Sequence, residues 1–203
     1  GELGLGWSGG EGDGEDGGEY AGPYAVYRYL DGTAKHAPLG GASAAADEAG
    51  PRANPVLFVP GNAGAYEQCR SLGGEAAKAW SLRLGRRSAT NEWMAEAHVY
   101  AVDLGEELGG ASGALLRRQA AYVQRTMSAL ASAYATRVVV VGHSFGALVA
   151  RRAAAAAIGE ALARNGSSPV RALLNVASAS RAPPLASGAQ HALGALYSAA
   201  DAA

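Results

Sequence analysis

Short unbroken apolar runs alternate along this chain with longer stretches in which apolar residues recur at helical spacing. Pro55-Val56-Leu57-Phe58-Val59 is such a run, closed by Pro60-Gly61, and it has the pattern of a parallel strand covered on both faces. Residues 66–80 carry Cys69, Leu72, Ala76, Ala77 and Trp80 near helical spacing, which predicts a crossover helix despite the weakening pair Gly73-Gly74. Residues 97–104 predict a strand ending at Asp103, and residues 115–134 a long helix with few breakers. A β-branched run at 137–141, an alanine-rich helix at 147–164 and a last strand at 170–176 complete the series. Upstream, residues 24–30 alternate aromatic and aliphatic side chains around Arg28, as a half-buried edge strand does, and a Gly, Ala, Ser and Pro-rich connection follows over 31–54. Strand, helix, strand, helix, strand, helix, strand implies an α/β fold. Its sheet is open and mostly parallel, with helices on both faces and its site at the strands' C-terminal ends.

Composition sets outer limits on this picture. With 203 residues, 49% of them apolar, one domain with a sizeable core is expected. Residues 1–22 are excluded from it, since glycine and acidic residues dominate there and Leu3, Leu5, Trp7 and Tyr20 are too few to offset ordering entropy; disorder is expected for them. Residues 23–203 remain as the domain. A formal net charge of -1 with 17% charged residues gives no electrostatic footprint for nucleic acid. Cys69 is the sole cysteine, so no internal disulfide forms, and a small, partly buried thiol on a helix is the expected role. No apolar stretch approaches the roughly 18–20 residues that span a bilayer. The chain opens at Gly1 without an initiator Met, and a missing upstream segment is expected.

The chemistry concentrates at Val138-Val139-Val140-Val141-Gly142-His143-Ser144-Phe145-Gly146-Ala147, a buried strand, a G-x-S-x-G turn and the start of a helix. Such a turn lifts a serine hydroxyl above the sheet and needs small neighbours, here Gly142 and Gly146. Ser144 is the expected nucleophile. The Phe145 amide, at the positive end of the helix, is the expected first oxyanion donor. Val59-Pro60-Gly61-Asn62-Ala63-Gly64 ends an earlier strand, where Gly61 allows close approach and the amide of Asn62 or Ala63 is the candidate second donor. Asp103 is a candidate to line the same crevice or to cap a turn.

Acyl transfer by serine also needs a histidine base oriented by an acid. In this kind of fold they follow the serine in the order acid, then histidine, whereas His191 precedes Asp201 here. The base and acid are therefore expected beyond Ala203, and the hydrolase domain is expected to be truncated on its C-terminal side. His143 stands beside the nucleophile pointing away, while His36 and His98 read as solvated or structural.

Three blocks together resemble the GPI inositol-deacylase family of endoplasmic reticulum membrane lipases. The first runs from Pro55 through Pro60-Gly61-Asn62-Ala63-Gly64-Ala65-Tyr66 and on to Gln68, Arg70-Ser71-Leu72 and Glu75-Ala76. The second is Val102-Asp103-Leu104-Gly105-Glu106-Glu107-Leu108, leading into Gln119 and Tyr122-Val123; the third is Val141-Gly142-His143-Ser144-Phe145-Gly146 with Val149-Ala150-Arg151. The resemblance covers about residues 24–185. Gly105 stands where the family often has Asn, and Ser180 where it has His before a proline pair.

The resemblance implies an α/β-hydrolase that removes the fatty acyl chain ester-linked to the inositol of GPI anchors on newly made proteins, supporting their export from the endoplasmic reticulum. It implies no cofactor and no metal, GPI-anchored proteins and their acylated inositol lipid as partners, and a lumenal hydrolase domain held to the membrane by segments outside this chain. Two other readings stay open. The serine turn alone also suits a generic lipase or esterase, and the missing base with Ser180 suits a non-catalytic lipid- or protein-binding relative.

Overall fold

The computed structural model describes residues 24–30, 37–38, 53–84 and 95–178. They form six strands, β1 (Ala25–Arg28), β2 (Ala37–Pro38), β3 (Ala53–Val59), β4 (Glu96–Asp103), β5 (Val138–His143) and β6 (Val170–Val176), with helices α1 (Arg70–Leu84), α2 (Gly113–Ala133) and α3 (Gly146–Ala163). All six strands join one sheet in the order β2-β1-β4-β3-β5-β6. The β4, β3, β5 and β6 strands run parallel, and β1 and β2 are antiparallel additions beside β4.

The apolar runs become central strands because both their faces are covered. Leu57 and Val59 of β3, Tyr100 and Val102 of β4, and Val138 and Val140 of β5 pack toward α2 and α3 in one cluster. The alternate residues Phe58, Val99, Ala101 and Val141 pack on the other face with Cys69, Leu72 and Ala76. A period of two thus serves two cores at once. Buried residues of α2 fall at Leu116, Gln119, Ala120, Val123, Thr126, Met127 and Leu130, one stripe of a 3.6-residue period. Ser112 caps that helix, its hydroxyl accepting from the Leu115 amide at 3.4 Å. Both α2 and α3 end with a left-handed residue, Ala135 and Asn165, and the paired bonds Thr136 N to Ala131 O and Gly166 N to Ala161 O close their last turns.

Two expectations change. The segment expected as an edge strand lies one position inside the edge, since β1 pairs with β4 through Ala25↔Asp103 and with β2 through Tyr27↔Pro38. The connection over 31–54 therefore contains a strand, and Pro38, with no N–H to offer, suits the outermost position. The predicted first helix is divided into a 3₁₀ turn, Tyr66–Cys69, and α1 proper. Residues 1–22 lie outside the described residues.

The end of the sheet away from the strands' C-termini is closed by polar side chains. His98 is buried, its Nδ1 2.6 Å from the Tyr134 hydroxyl and its Nε2 3.0 Å from Arg28 Nη2, and the Tyr134 and Tyr100 hydroxyls meet at 2.5 Å. A guanidinium only donates, so Nε2 accepts and the ring proton sits on Nδ1, directed at Tyr134. This is the structural role expected for His98. Cys69 is fully buried, and desolvation pushes its thiol up to about 11, which keeps it protonated and unreactive.

The Gly73-Gly74 pair also finds its reason. A Cβ on Gly73 would lie 2.4 Å from the Tyr29 ring, whereas one on Gly74 would meet only the Tyr29 hydroxyl at 3.6 Å. Gly73→Ala is expected to destabilise the fold by about 1–3 kcal/mol through overpacking, while Gly74→Ala is expected to stabilise it by roughly 0.5–1 kcal/mol through helix propensity. Urea unfolding of the two variants measures the difference, and equal signs would refute this account.

Candidate active site

The loops that follow β3 and β4 and the turn that follows β5 meet at the C-terminal end of the sheet. Ser144 lies between β5 and α3 with φ +53, a left-handed conformation that costs a non-glycine residue about 1 kcal/mol or more and needs surroundings that hold it. Its amide donates to Val176 O at 2.8 Å, which ties the turn to the end of β6, and its carbonyl accepts from Ala147 N at 3.2 Å. Phe145 follows in right-handed geometry as the first residue of the helix turn, and its buried ring joins the α2/α3 core.

Gly142 and Gly146 leave no room for a side chain. A Cβ on Gly142 would stand 2.4 Å from Ala147 Cα, and one on Gly146 would stand 2.2 Å from Pro60 O and 2.4 Å from Val59 O. The first turn of α3 is therefore pressed against the end of β3. The same closeness brings the next loop to the serine, since a Cβ on Gly61 would lie 3.1 Å from Ser144 Cβ and 3.3 Å from His143 O. His143 itself is partly buried, and its Nδ1 has no hydrogen-bond partner among the described residues.

The candidate oxyanion residues separate at this point. The Ala63 amide, offered by the sequence as one of two second donors, is engaged by Glu107 O at 3.1 Å, and the Gly64 amide by Gly61 O at 3.0 Å. Ala63 is thus occupied as a strut between loops, with φ +50. The Asn62 amide has no hydrogen-bond partner among the described residues, and its side chain does something composition does not reveal: Oδ1 accepts from Gly110 N at 2.8 Å. Asp103 accepts from the Gly105 amide at 2.9 Å and so caps the left-handed turn after β4, where Gly105 has φ +64. His36, Ser180, His191 and Asp201 lie outside the described residues.

Sequence reasoning missed the polar cluster behind these loops. Glu107 accepts from the Tyr24 hydroxyl, from the Arg118 guanidinium and, at 3.3 Å, from Gln119 Nε2; Arg118 Nε also donates to the Tyr24 oxygen at 3.0 Å. One signal was available: Gln119 occupies the apolar stripe of α2, where a buried amide requires a partner. Cavities of about 370 and 180 Å³ lie elsewhere, the first between the C-terminal ends of α2 and α3 and the second in the outer groove between the two helices. Neither touches Ser144, so neither is taken for the substrate site.

A sheet ordered β4-β3-β5-β6 with helices on both faces, and a strand-turn-helix carrying G-x-S-x-G at a left-handed serine, define the α/β-hydrolase class. Residues 51–201 match the family model described as the PGAP1-like alpha/beta domain, and the chain belongs to that family. It is similar to proteins named GPI inositol-deacylase: 37% identical over 103 residues to that of Xenopus laevis, 35% over 102 to that of Drosophila melanogaster, and 32% over 108 to that of Cryptococcus neoformans var. neoformans serotype D (strain B-3501A). These matches cover 48–49% of this chain but only 10% of the first two relatives and 14% of the third. No helix among the described residues is long and apolar enough to cross a membrane.

Gly146→Ala is expected to cost more than about 2 kcal/mol, because the added methyl meets main-chain carbonyls that have nowhere to move; an unchanged Tm would contradict that packing. The Tyr24 hydroxyl gives a pH signature. Burial first, and then the hydrogen bond to Glu107, push it up to about 12. The folded state therefore keeps a proton that the unfolded chain releases near 10, and this contribution is complete below pH 10 and lost as pH rises from 10 to 12. Unfolding curves at pH 9 to 12 should show that loss, and Tyr24→Phe should flatten it.

Proposed function

We propose that the protein is a serine hydrolase that cleaves the ester between a fatty acyl chain and the inositol of GPI anchors, a GPI inositol-deacylase. The observation that carries this reading is Ser144 at φ +53, backed by the start of α3 and faced by the loop at Gly61, in a chain of the PGAP1-like family. The names of its relatives supply the substrate. GPI-anchored proteins bearing the acylated lipid are the partners. The site is the endoplasmic reticulum membrane with this domain in the lumen, where the reaction supports export of those proteins.

In the proposed reaction Ser144 Oγ attacks the acyl carbonyl and passes its proton to a histidine outside the described residues. The negative oxygen that develops is held by the amides of Phe145 and Asn62, donors useful only once that charge exists. The C–O bond to inositol breaks, the inositol oxygen takes the proton back, and an acyl-serine remains. Water, deprotonated by the same base, then releases the fatty acid and restores Ser144. Asp103, already engaged by the Gly105 amide, lines the crevice without entering the chemistry.

In the full-length protein, Ser144→Ala is expected to abolish release of fatty acid from inositol-acylated anchors, a fall of about 10⁴-fold or more, while anchor binding persists. Retained release in that variant would rule out Ser144 as nucleophile. Hydrolysis of simple soluble esters with none of the anchor lipid would instead favour a general esterase.

A further inference from the structure

The acidic segment after β4 has no part in the chemistry just described, yet among the described residues more side chains converge on Glu107 than on any residue of the serine turn. Both of its carboxylate oxygens are engaged: one by Arg118, the other by the Tyr24 hydroxyl and by Gln119 Nε2 at 3.3 Å. Its partners come from two separate elements, Arg118 and Gln119 from α2 and Tyr24 from the entry to β1. The Arg118 guanidinium also stands 5.5 Å from the Tyr24 ring centroid, a cation–π contact that keeps the pair together. Side chains of Arg118 and Glu107 are only 29% and 23% exposed, so the ion pair is partly shielded from water and from screening.

What this carboxylate holds is main chain. Glu106, immediately before it, sits at φ +53, and Gly105 at φ +64. Two successive left-handed residues, one of them not glycine, persist only where neighbours fix the path. From that path two hydrogen bonds cross to the loop facing Ser144: Ala63 N donates to Glu107 O at 3.1 Å, and Gly110 N donates to Asn62 Oδ1 at 2.8 Å. Gly109 lies against the Gln119 amide so closely that a Cβ there would be 2.5 Å from Oε1, which sets the height of this segment above α2.

We propose that Glu107 is a positioning residue: anchored by Tyr24, Arg118 and Gln119, it fixes the backbone that holds residues 61–64 against Ser144 and thereby sets the Asn62 amide as second oxyanion donor. This rests on the hydrolase reading above for its catalytic consequence, but not for the existence of the tie. Misplacing a donor by about 1 Å is enough to cost about 10²-fold in rate. The loss falls on kcat rather than KM, because the donor meets charge only in the transition state.

The test uses the full-length protein with Glu107→Gln, and with Arg118→Lys should the first variant fail to fold. Hydrogen exchange of peptides covering residues 60–66 and 108–114 is compared with that of β5. Exchange faster by about tenfold or more in the two loops, with β5 unchanged, is expected for local release of a clamp. Unaltered exchange at 60–66 overturns the proposal whether or not the protein is a deacylase. Where Ser144→Ala abolishes turnover, Glu107→Gln is expected to lower kcat by about 10²-fold with KM nearly constant. The double variant Glu107→Gln/Arg118→Met should then be no slower than Glu107→Gln alone, since both act through one unit. Loosened loops with an unchanged kcat, or losses that multiply, would remove the positioning role. Turnover surviving in Ser144→Ala would instead sink the hydrolase reading and leave the exchange result to judge the tie.

Discussion

The close approach of α3 to the end of β3 is the constraint on which the site depends. Gly146 lies so near the carbonyls of Val59 and Pro60 that its missing side chain is the condition for the helix to start there. From that contact the rest follows in order. Because the helix begins so low over the sheet, the chain leaving β5 must reverse within the turn, and Ser144 takes the left-handed conformation that this demands. The same compression brings Gly61 within van der Waals reach of the serine. Strain at one residue and the absence of side chains at three others are thus parts of a single packing arrangement.

A second layer of control comes from polar groups that never reach the serine. Loops after β3 and β4 are stitched to one another by one main-chain bond, Ala63 N to Glu107 O, and one from the Gly110 amide to the Asn62 side chain, and the stitching is referred back to α2 and the entry to β1 through Glu107. The loops therefore inherit the rigidity of the helix and strand beneath them, which is how irregular backbone on a surface is kept in one conformation.

Elements with strong periodicity were legible from residues alone. The buried strands β3, β4 and β5 and the helices α2 and α3 lie within a few residues of where their patterns put them, because burial on two faces or on one stripe is written directly into side-chain type; β6 falls where expected too, although Leu174 and Val176 on it are exposed. The two-residue β2 was not legible, since it owes its existence to pairing with β1 rather than to any pattern of its own. In the site, the G-x-S-x-G turn and the loop at 61–64 could be named from local sequence. The commitment of the Ala63 amide to Glu107 could not, because a hydrogen bond between residues far apart in the chain leaves no trace in either neighbourhood. Tyr24 and Arg118 were invisible as partners for the same reason, whereas the polar Gln119 on an apolar stripe was a usable hint.

The alanine content of α3 has a consequence for how such a site can change. Ala147, Ala150, Ala153, Ala154 and Ala157 are all buried, and alanine has no rotamers to lose on folding. Beyond Leu148 and Val149 in its first turn, every buried residue of the helix is alanine, so from Ala150 onward it rests on a rail of methyl groups at a fixed height, with no long side chain to compress or swing aside. Larger residues along that rail would raise the whole helix and carry the serine with it. Change in this architecture is therefore channelled away from the helix and into surface segments elsewhere, where length and sequence can vary without disturbing the bend at Ser144.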